Sequence, residues 1–303
     1  MKPFDAAQRV WMVKPAAFAF NPETASSNAF QSNLSVNIDL SEIARAEFDD
    51  LVDLLIQNGV EVNVWADSPE PAKPDAVFPN NWFACIPNGP LVLFPMQANN
   101  RRKERTPEAI DGLIKLFPDR EILDLTQYEN RGLFLEGTGS IVFDHGASVA
   151  YANVSPRTHE EPFLELCSKI GYKPIFFSAA DPRGQLYYHA NVLMFMIPGG
   201  VAIGLESIAQ SDRKKLQEAF ETSGLEVLRL EPLQLDKFAG NMLCLKNTRG
   251  ENLIFMSETA RQSLKQEQVA FLEKKSKLMV ARIPIIEQTG GGSVRCMIAE
   301  LFP

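Results

Sequence analysis

The sequence predicts an α/β propeller, five ββαβ units arranged about a pseudo-fivefold axis. Three observations lead there. A helix followed by a strand recurs five times, with starts roughly 45 to 65 residues apart. Pairs of short apolar runs joined by turn residues stand between those units. The first and last apolar runs each lack a sequence neighbour, and pairing them closes the array into a ring.

Taken in order, Val10–Val13 is the apolar run without a preceding partner. Phe18–Gln31, rich in Asn, Ser and Pro, is either a lid over the axis or a surface excursion. Leu40–Asn58 carries Ile43, Phe48, Leu51, Leu54 and Leu55 on one helical face. Asn58-Gly59 ends it, and Val60–Trp65 reads as a strand. Trp82–Ile86 and Leu91–Phe94 flank the turn Pro87-Asn88-Gly89-Pro90. Thr106-Pro107 opens a helix to Phe117, with Thr at the N-cap and Pro in the first turn, before the strand Glu121–Leu125. The same order repeats with the hairpin Ser140–Phe143 and Ser148–Ala152, the helix Thr158–Ile170 and the strand Lys173–Phe177. It repeats again with Val192–Ile197, Val201–Gly204, Ser211–Ser223 and Glu226–Leu230. The fourth repeat is Met242–Leu245, Leu253–Met256, Ser257–Lys275 and Lys277–Ile283. Met297–Phe302 is the last run, left to pair with the first. A ring of this kind makes residues 1–303 one domain.

Composition narrows the function. The formal net charge of -8 argues against a nucleic-acid footprint and against attraction to anionic lipid. No run approaches the length of a membrane span, and the start lacks the apolar core of a signal peptide, so a soluble cytoplasmic protein is expected. Cys85, Cys167, Cys244 and Cys296 are scattered with no CxxC pair, and His145, His159 and His189 show no HExxH spacing. Neither a metal nor any other cofactor is expected.

The ring brings distant residues together. Asn81, Glu136, His189, Asn241 and Cys296 each stand just before or at the first strand of a unit, so rotation about the axis converges them on one place. Each alone has an ordinary structural explanation; their equivalent positions make them a candidate site. Cys296 follows Gly290-Gly291-Gly292-Ser293, where missing Cβ atoms let backbone approach a ligand, and reads as a nucleophile at the mouth of a strand. A thiol needs help to become thiolate near neutrality. His189 can supply it, or act as general acid and base, with Glu136 orienting the imidazole. The set suits attack on an electrophilic carbon that carries nitrogen leaving groups. Asn241 falls near the site with no task assigned.

The motifs resemble the guanidino-modifying (amidinotransferase, or pentein) superfamily, whose fold is a five-bladed ββαβ propeller. Pro74-Asp75-Ala76-Val77-Phe78-Pro79-Asn80-Asn81 is similar to the substrate-binding stretch of dimethylarginine dimethylaminohydrolases. Arg101-Arg102-Lys103-Glu104 and Ser155-Pro156-Arg157-Thr158 resemble segments whose arginines hold a substrate α-carboxylate. Leu135-Glu136-Gly137 and Tyr188-His189 match the acid and histidine motifs, and Gly290–Met297 looks like the end of arginine deiminases. The resemblance implies Cys296 as nucleophile, His189 as general acid and base, Glu136 as its partner, and Arg101 with Arg157 as carboxylate clamp. It places Asp75 and Phe78 in the substrate-binding stretch, Asp75 meeting the substrate's polar end.

Two positions depart from the deiminase pattern, which has aspartate where Asn81 and Asn191 stand. Two neutral amides remove negative charge that would grip a guanidinium, and an amide pairs well with a neutral ureido group. The expected function is a cysteine-dependent hydrolase acting on C–N bonds of a ureido or guanidino amino acid. Citrulline is the first choice, giving ornithine, ammonia and carbon dioxide through a covalent Cys adduct, in line with the citrulline-utilisation branch that the chain most resembles. Backbone N–H groups near Gly290–Ser293, or the Asn81 amide, are the candidates for stabilising the developing oxyanion. The alternatives are arginine deiminase or dimethylarginine dimethylaminohydrolase activity, which Asp75 favours, then amidino transfer, then a non-catalytic binding protein. The expected partner is a small molecule, with no nucleic acid and no membrane; the oligomeric state is open.

Overall fold

The computed structural model describes residues 5–34 and 39–303; the parts of the expected domain at 1–4 and 35–38 lie outside the described residues. Strand β1 (Arg9–Lys14) is followed by helix α1 (Leu40–Gln57) and strand β2 (Glu61–Ala66). Then come β3 (Phe83–Cys85), β4 (Leu91–Leu93), α2 (Pro107–Leu116) and β5 (Ile122–Asp124). The next repeat is β6 (Ile141–Asp144), β7 (Val149–Asn153), α3 (Glu160–Ile170) and β8 (Lys173–Phe177). It is followed by β9 (Met194–Ile197), β10 (Gly200–Ile203), α4 (Gln210–Thr222) and β11 (Glu226–Arg229). The last full repeat is β12 (Leu243–Lys246), β13 (Asn252–Ser257), α5 (Glu258–Ser263), α6 (Gln266–Glu273) and β14 (Lys277–Ala281), and β15 (Ala299–Leu301) ends the chain's strands.

These strands form five sheets of three. In four of them, a hairpin pairs two strands antiparallel and a helical crossover returns the third parallel to the second. The fifth sheet closes the ring. β15 lies antiparallel to β1 in register Arg9↔Leu301, and β1 lies parallel to β2. Both unpaired runs of the sequence thus complete one blade.

Burial falls from the inside out. The leading strands β3, β6 and β9 are buried throughout, whereas the outer strands β5, β11 and β14 each carry exposed positions. Leading strands of neighbouring blades pack together, β15 on β3, β6 on β9 and β9 on β12, so they surround the axis. Whatever stands just before them is carried to one end of that axis.

Local signals behave as their chemistry requires. Thr106 caps α2 by accepting from Ala109 N at 3.1 Å, with Pro107 at the first position. Gly171, left-handed at φ 71, ends α3. Two expectations change. The helix expected over Ser257–Lys275 is two helices, because Leu264 is buried and extended at ψ 139. The Ser263 carbonyl there accepts from Gln234 Nε2 at 2.8 Å, in place of an amide one turn on. Cys296, expected at the mouth of its strand, lies three residues before β15 in a turn closed by its own N–H donating to Ser293 O at 2.9 Å. No helix among the described residues is long and apolar enough to cross a membrane.

Candidate active site

Asn81, Glu136, His189, Asn241 and Cys296 are all buried, each a few residues ahead of a leading strand. Glycine makes their convergence feasible. Gly137 is left-handed at φ 48, and a Cβ there would stand 2.3 Å from Asn80 O. A Cβ on Gly139 would meet Asn81 Nδ2 at 2.5 Å and the His189 ring at 2.6 Å. On the far side, the ring of Phe78 lies 2.8 Å from where a Gly290 Cβ would sit and 2.9 Å from one on Gly292.

Glu136 and His189 form a buried hydrogen-bonded pair. His189 Nε2 and Glu136 Oε2 are 2.9 Å apart, and Glu136 Oε1 accepts from Gln97 N at 3.0 Å. Burial alone would push the Glu136 carboxyl up; the charge of Arg157 and the bond from His189 outweigh it and hold it at about 2. Burial also pulls His189 down, to about 4 even against the Glu136 carboxylate. Near neutrality the pair is therefore a carboxylate accepting from a neutral imidazole. The proton is on Nε2, and Nδ1 is a buried base without a hydrogen-bond partner.

The thiol sits among amides. Asn241 Nδ2 is 3.3 Å from Cys296 Sγ and Asn191 Nδ2 is 3.6 Å away. Burial raises the Cys296 thiol above its ordinary value, and hydrogen bonding at Ser293, Asn241 and Asn191 acts in the other direction with the charge of Arg295. The segment before it is fixed by buried carboxylates. Glu47 of α1 accepts from Ile285 N and Ile286 N, both at 2.9 Å, and Glu287 accepts from Ser293 Oγ at 2.6 Å.

The expected clamp residues already have protein partners. Arg101 grips Glu104 through Nε at 2.8 Å and Nη2 at 2.9 Å. It also donates to Phe78 O at 3.0 Å and to Asn81 Oδ1 at 2.5 Å. Asn81 thus turns its oxygen to Arg101 and an N–H to Asn80 Oδ1 at 3.0 Å. Arg157 donates to Ser27 Oγ at 2.8 Å and to Thr24 O at 2.8 Å, and lies over the Tyr188 ring 5.0 Å from its centroid.

Those last partners belong to Phe18–Gln31, the segment the sequence left open between lid and surface excursion. It runs over the site as a strap. Asn21 Nδ2 donates to Asp75 Oδ2 at 2.7 Å, Gln31 Nε2 to Gly290 O at 3.0 Å, and Asn28 Nδ2 to Gly291 O at 3.2 Å. Asp75 Oδ1 is buried without a partner. A cavity of about 570 Å³ opens beside the strap at Phe30, Tyr187, Tyr188 and Phe238; Cys296, His189 and Glu136 do not line it.

Residues 14–303 match the family described as N,N dimethylarginine dimethylhydrolase, eukaryotic. The chain belongs to this family. No curated protein matches the sequence. Among solved structures, it is similar to ArgZ, an arginine dihydrolase from the ornithine-ammonia cycle in cyanobacteria. The substrate-bound N-terminal domain of a cysteine-to-serine ArgZ variant gives a TM-score of 0.75 at 16% identity, covering 97% of this chain and 98% of that one. Against the longer apo ArgZ chain the TM-score is 0.74 at 16% identity, covering 97% of this chain and 41% of that one, so this chain spans about two fifths of its length. A dimethylarginine dimethylaminohydrolase variant captured as an adduct with S-methyl-L-thiocitrulline gives 0.66 at 14% identity, covering 97% of this chain and 99% of that one. At such identities the likeness is one of fold, the pentein propeller.

Within this dimethylarginine dimethylhydrolase-family chain, the site offers a thiol, a buried base and amide donors in an enclosed polar centre. Gly291 N–H, one of the expected oxyanion donors, is bound to Glu287 O at 2.9 Å. The amides near the thiol are those of Asn191 and Asn241. Sequence reasoning missed Glu104, Tyr188 as a partner, and the strap residues Asn21, Thr24 and Ser27. Tyr188 Oη donates to Gly291 O at 2.6 Å, tying the histidine segment to the glycine run. Its place beside His189 was the one available signal. Among the described residues, no three or more His, Cys, Asp or Glu side chains are grouped as a metal ion would need.

Proposed function

We propose that this chain is a cysteine-dependent hydrolase of a ureido amino acid, taking citrulline and water to ornithine, ammonia and carbon dioxide. The observation that carries the reading is the neutrality of the groups around the thiol. Asn191 and Asn241 flank Cys296 Sγ with uncharged amides, and His189 is an uncharged base near pH 7. A ureido group offers one C=O and several N–H groups, which amides complement without a carboxylate. Four free cysteines fit a reducing, cytoplasmic setting for the one-domain enzyme.

In this reading Cys296 is the nucleophile, His189 the acid and base, and Glu136 the group that fixes the imidazole tautomer. His189 Nδ1 takes the thiol proton as Sγ bonds to the ureido carbon and the C=O electron pair moves onto oxygen. The pair returns, the C–N bond breaks, and the same proton goes to the departing amine. Water, deprotonated by Nδ1, then attacks the thiocarbamoyl carbon. Sγ leaves and recovers its proton, and the carbamic acid released loses carbon dioxide and the second amine. Phe78, Asp75, Asn81 and Asn191 shape the pocket. Arg157, buried like Arg101, is the half of the carboxylate clamp whose hydrogen-bond partners belong to the strap. Its present partners are the Ser27 hydroxyl and Thr24 carbonyl, which a substrate carboxylate replaces as the strap shifts. Arg101, held by Glu104, acts through Asn81.

A guanidine hydrolase is the second reading, favoured by the buried, unpartnered Asp75 Oδ1, an anionic acceptor for a cation. A substrate panel tests both. Purified protein is incubated with citrulline, arginine and Nω-methylated arginines, following ammonia and the amino-acid product. Ornithine from citrulline with arginine inert supports the ureido reading; citrulline from arginine or methylarginine sinks it. The Asn191→Asp variant is expected to move preference toward the cationic substrates by about 10-fold or more, the worth of one charged hydrogen bond.

A further inference from the structure

We infer that Asn241, brought in by the fourth blade, is a dedicated hydrogen-bond donor to the Cys296 thiolate and works as a unit with Asn191. This deepens the hydrolase reading and rests on Cys296 being the nucleophile.

The orientation of the Asn241 amide is fixed by its second contact. Nδ2 donates to the Asn191 main-chain oxygen at 2.9 Å, and a carbonyl oxygen only accepts. The NH2 end therefore faces that carbonyl, and the same nitrogen lies 3.3 Å from Cys296 Sγ. An amide nitrogen carries two hydrogens, one for each partner. Asn191 adds its own Nδ2 at 3.6 Å from the sulfur. The two side chains form a cradle whose members are joined by the Asn241–Asn191 bond.

The backbone is shaped to deliver this amide. Phe238 is left-handed at φ 60, an uncommon conformation for an aromatic residue, and Asn241 N donates back to Phe238 O at 2.8 Å. Between them, a Cβ on Gly240 would stand 2.2 Å from Val192 O, so only glycine lets the turn press against the histidine segment. Asn241 is fully buried. Asn241 Oδ1 lies 3.6 Å from the same sulfur, where the neutral thiol can donate to it; once the thiol ionises, the second Nδ2 hydrogen is the one that faces the thiolate.

The need for such a donor follows from the rest of the site. Near neutrality His189 is uncharged, so the thiol lacks an imidazolium beside it. Other charged or titratable groups acting on the sulfur are Arg295, tied to Glu300 at 2.9 Å, and Tyr188, whose hydroxyl is bound to Gly291 O. Neutral N–H donors are what remain to favour the thiolate.

The test reads Cys296 directly and needs no substrate. Iodoacetamide labelling of the Cys296 peptide is followed by mass spectrometry from pH 6 to 10 in the wild type, Asn241→Ala and the near-isosteric Asn241→Asp. On the limb where the rate rises with pH, Asn241→Ala is expected to label about 10-fold more slowly or less, and Asn241→Asp more slowly still. Where a substrate is turned over, kcat falls with KM within about threefold. Labelling profiles that coincide with the wild type, in whichever variant folds, overturn the inference even if activity drops with thermal stability. If the substrate panel is silent, the labelling result still decides the role of Asn241, so its failure and that of the hydrolase reading are separable.

Discussion

Two histidines sit at opposite ends of the axis, His189 buried and His145 half-buried, and their partners differ. His189 stands before β9 and bonds the Glu136 carboxylate at 2.9 Å. His145 follows β6, stacks on Phe143 at 5.3 Å, meets the edge of Phe302 at 4.8 Å, and shares a 2.9 Å bond between Nδ1 and the Tyr172 hydroxyl. Burial and the Arg295 charge pull His145 to about 3. Burial pulls His189 only to about 4 because Glu136 resists. The two rings thus differ in partner as well as depth, a half-buried imidazole among aromatics and a buried one beside a carboxylate. The carboxylate sets the tautomer and, in the proposed reaction, would hold an imidazolium formed by proton transfer.

The sharpest way to break this comparison is to exchange the losses. Cys296→Ser and His189→Asn are each expected to lower kcat by about 10²–10⁴-fold or more, with far-UV circular dichroism unchanged. His145→Asn keeps an atom near Tyr172 and is expected to cost about 1–3 kcal/mol of stability while leaving kcat/KM within about threefold. Equal damage to activity from both histidine variants would erase the distinction.

Glu136→Gln is the next largest. It keeps the shape of the side chain but removes the charge, and kcat is expected to fall about 100-fold. The effect appears in the acid limb of the pH–rate profile as well as in the plateau. A wild-type profile in that variant would mean that Glu136 serves packing alone.

A smaller effect separates the glycines that frame the candidate site from those that do not. Gly139→Ala puts a methyl 2.6 Å from the His189 ring, and is expected to lose about 1–3 kcal/mol along with most activity. Gly132→Ala, with nothing within 4 Å at φ 69, is expected to cost about 1 kcal/mol and no activity. Chemical denaturation and a single rate assay check both.

Acid titration should expose both histidines together. Their folded values lie well below the ordinary 6.5, so below that pH the unfolded chain binds protons that the fold refuses. Stability is therefore expected to fall as pH drops from about 6.5 toward 4, by about 1.4 kcal/mol per pH unit for each histidine. Glu136, held at about 2 against an ordinary 4.5, adds a further loss as pH falls below about 4.5. Thermal melts from pH 7 to 4 check this, and His145→Asn should flatten the upper part of the curve. A flat wild-type profile would show that the two sites do not titrate as described.

Much of this molecule was legible in residue order alone. The periodicity of Leu40–Gln57, the Thr106-Pro107 cap and the turns between apolar runs are local signals, written in neighbours a few positions apart. Closure of the ring by β15 against β1 followed from two runs left without partners. From closure came the convergence of Asn81, Glu136, His189, Asn241 and Cys296. What the tertiary structure decided was which partner each side chain takes. Arg101 turns to Glu104, Arg157 to the strap and toward Glu136, and Asn81 to Arg101. The split at Leu264 depended on a glutamine from another segment. A side-chain hydrogen bond is settled within a few tenths of an ångström, and contacts between residues a hundred or more positions apart depend on every turn between them. The pattern of a sequence fixes which residues meet; only packing fixes which atoms do.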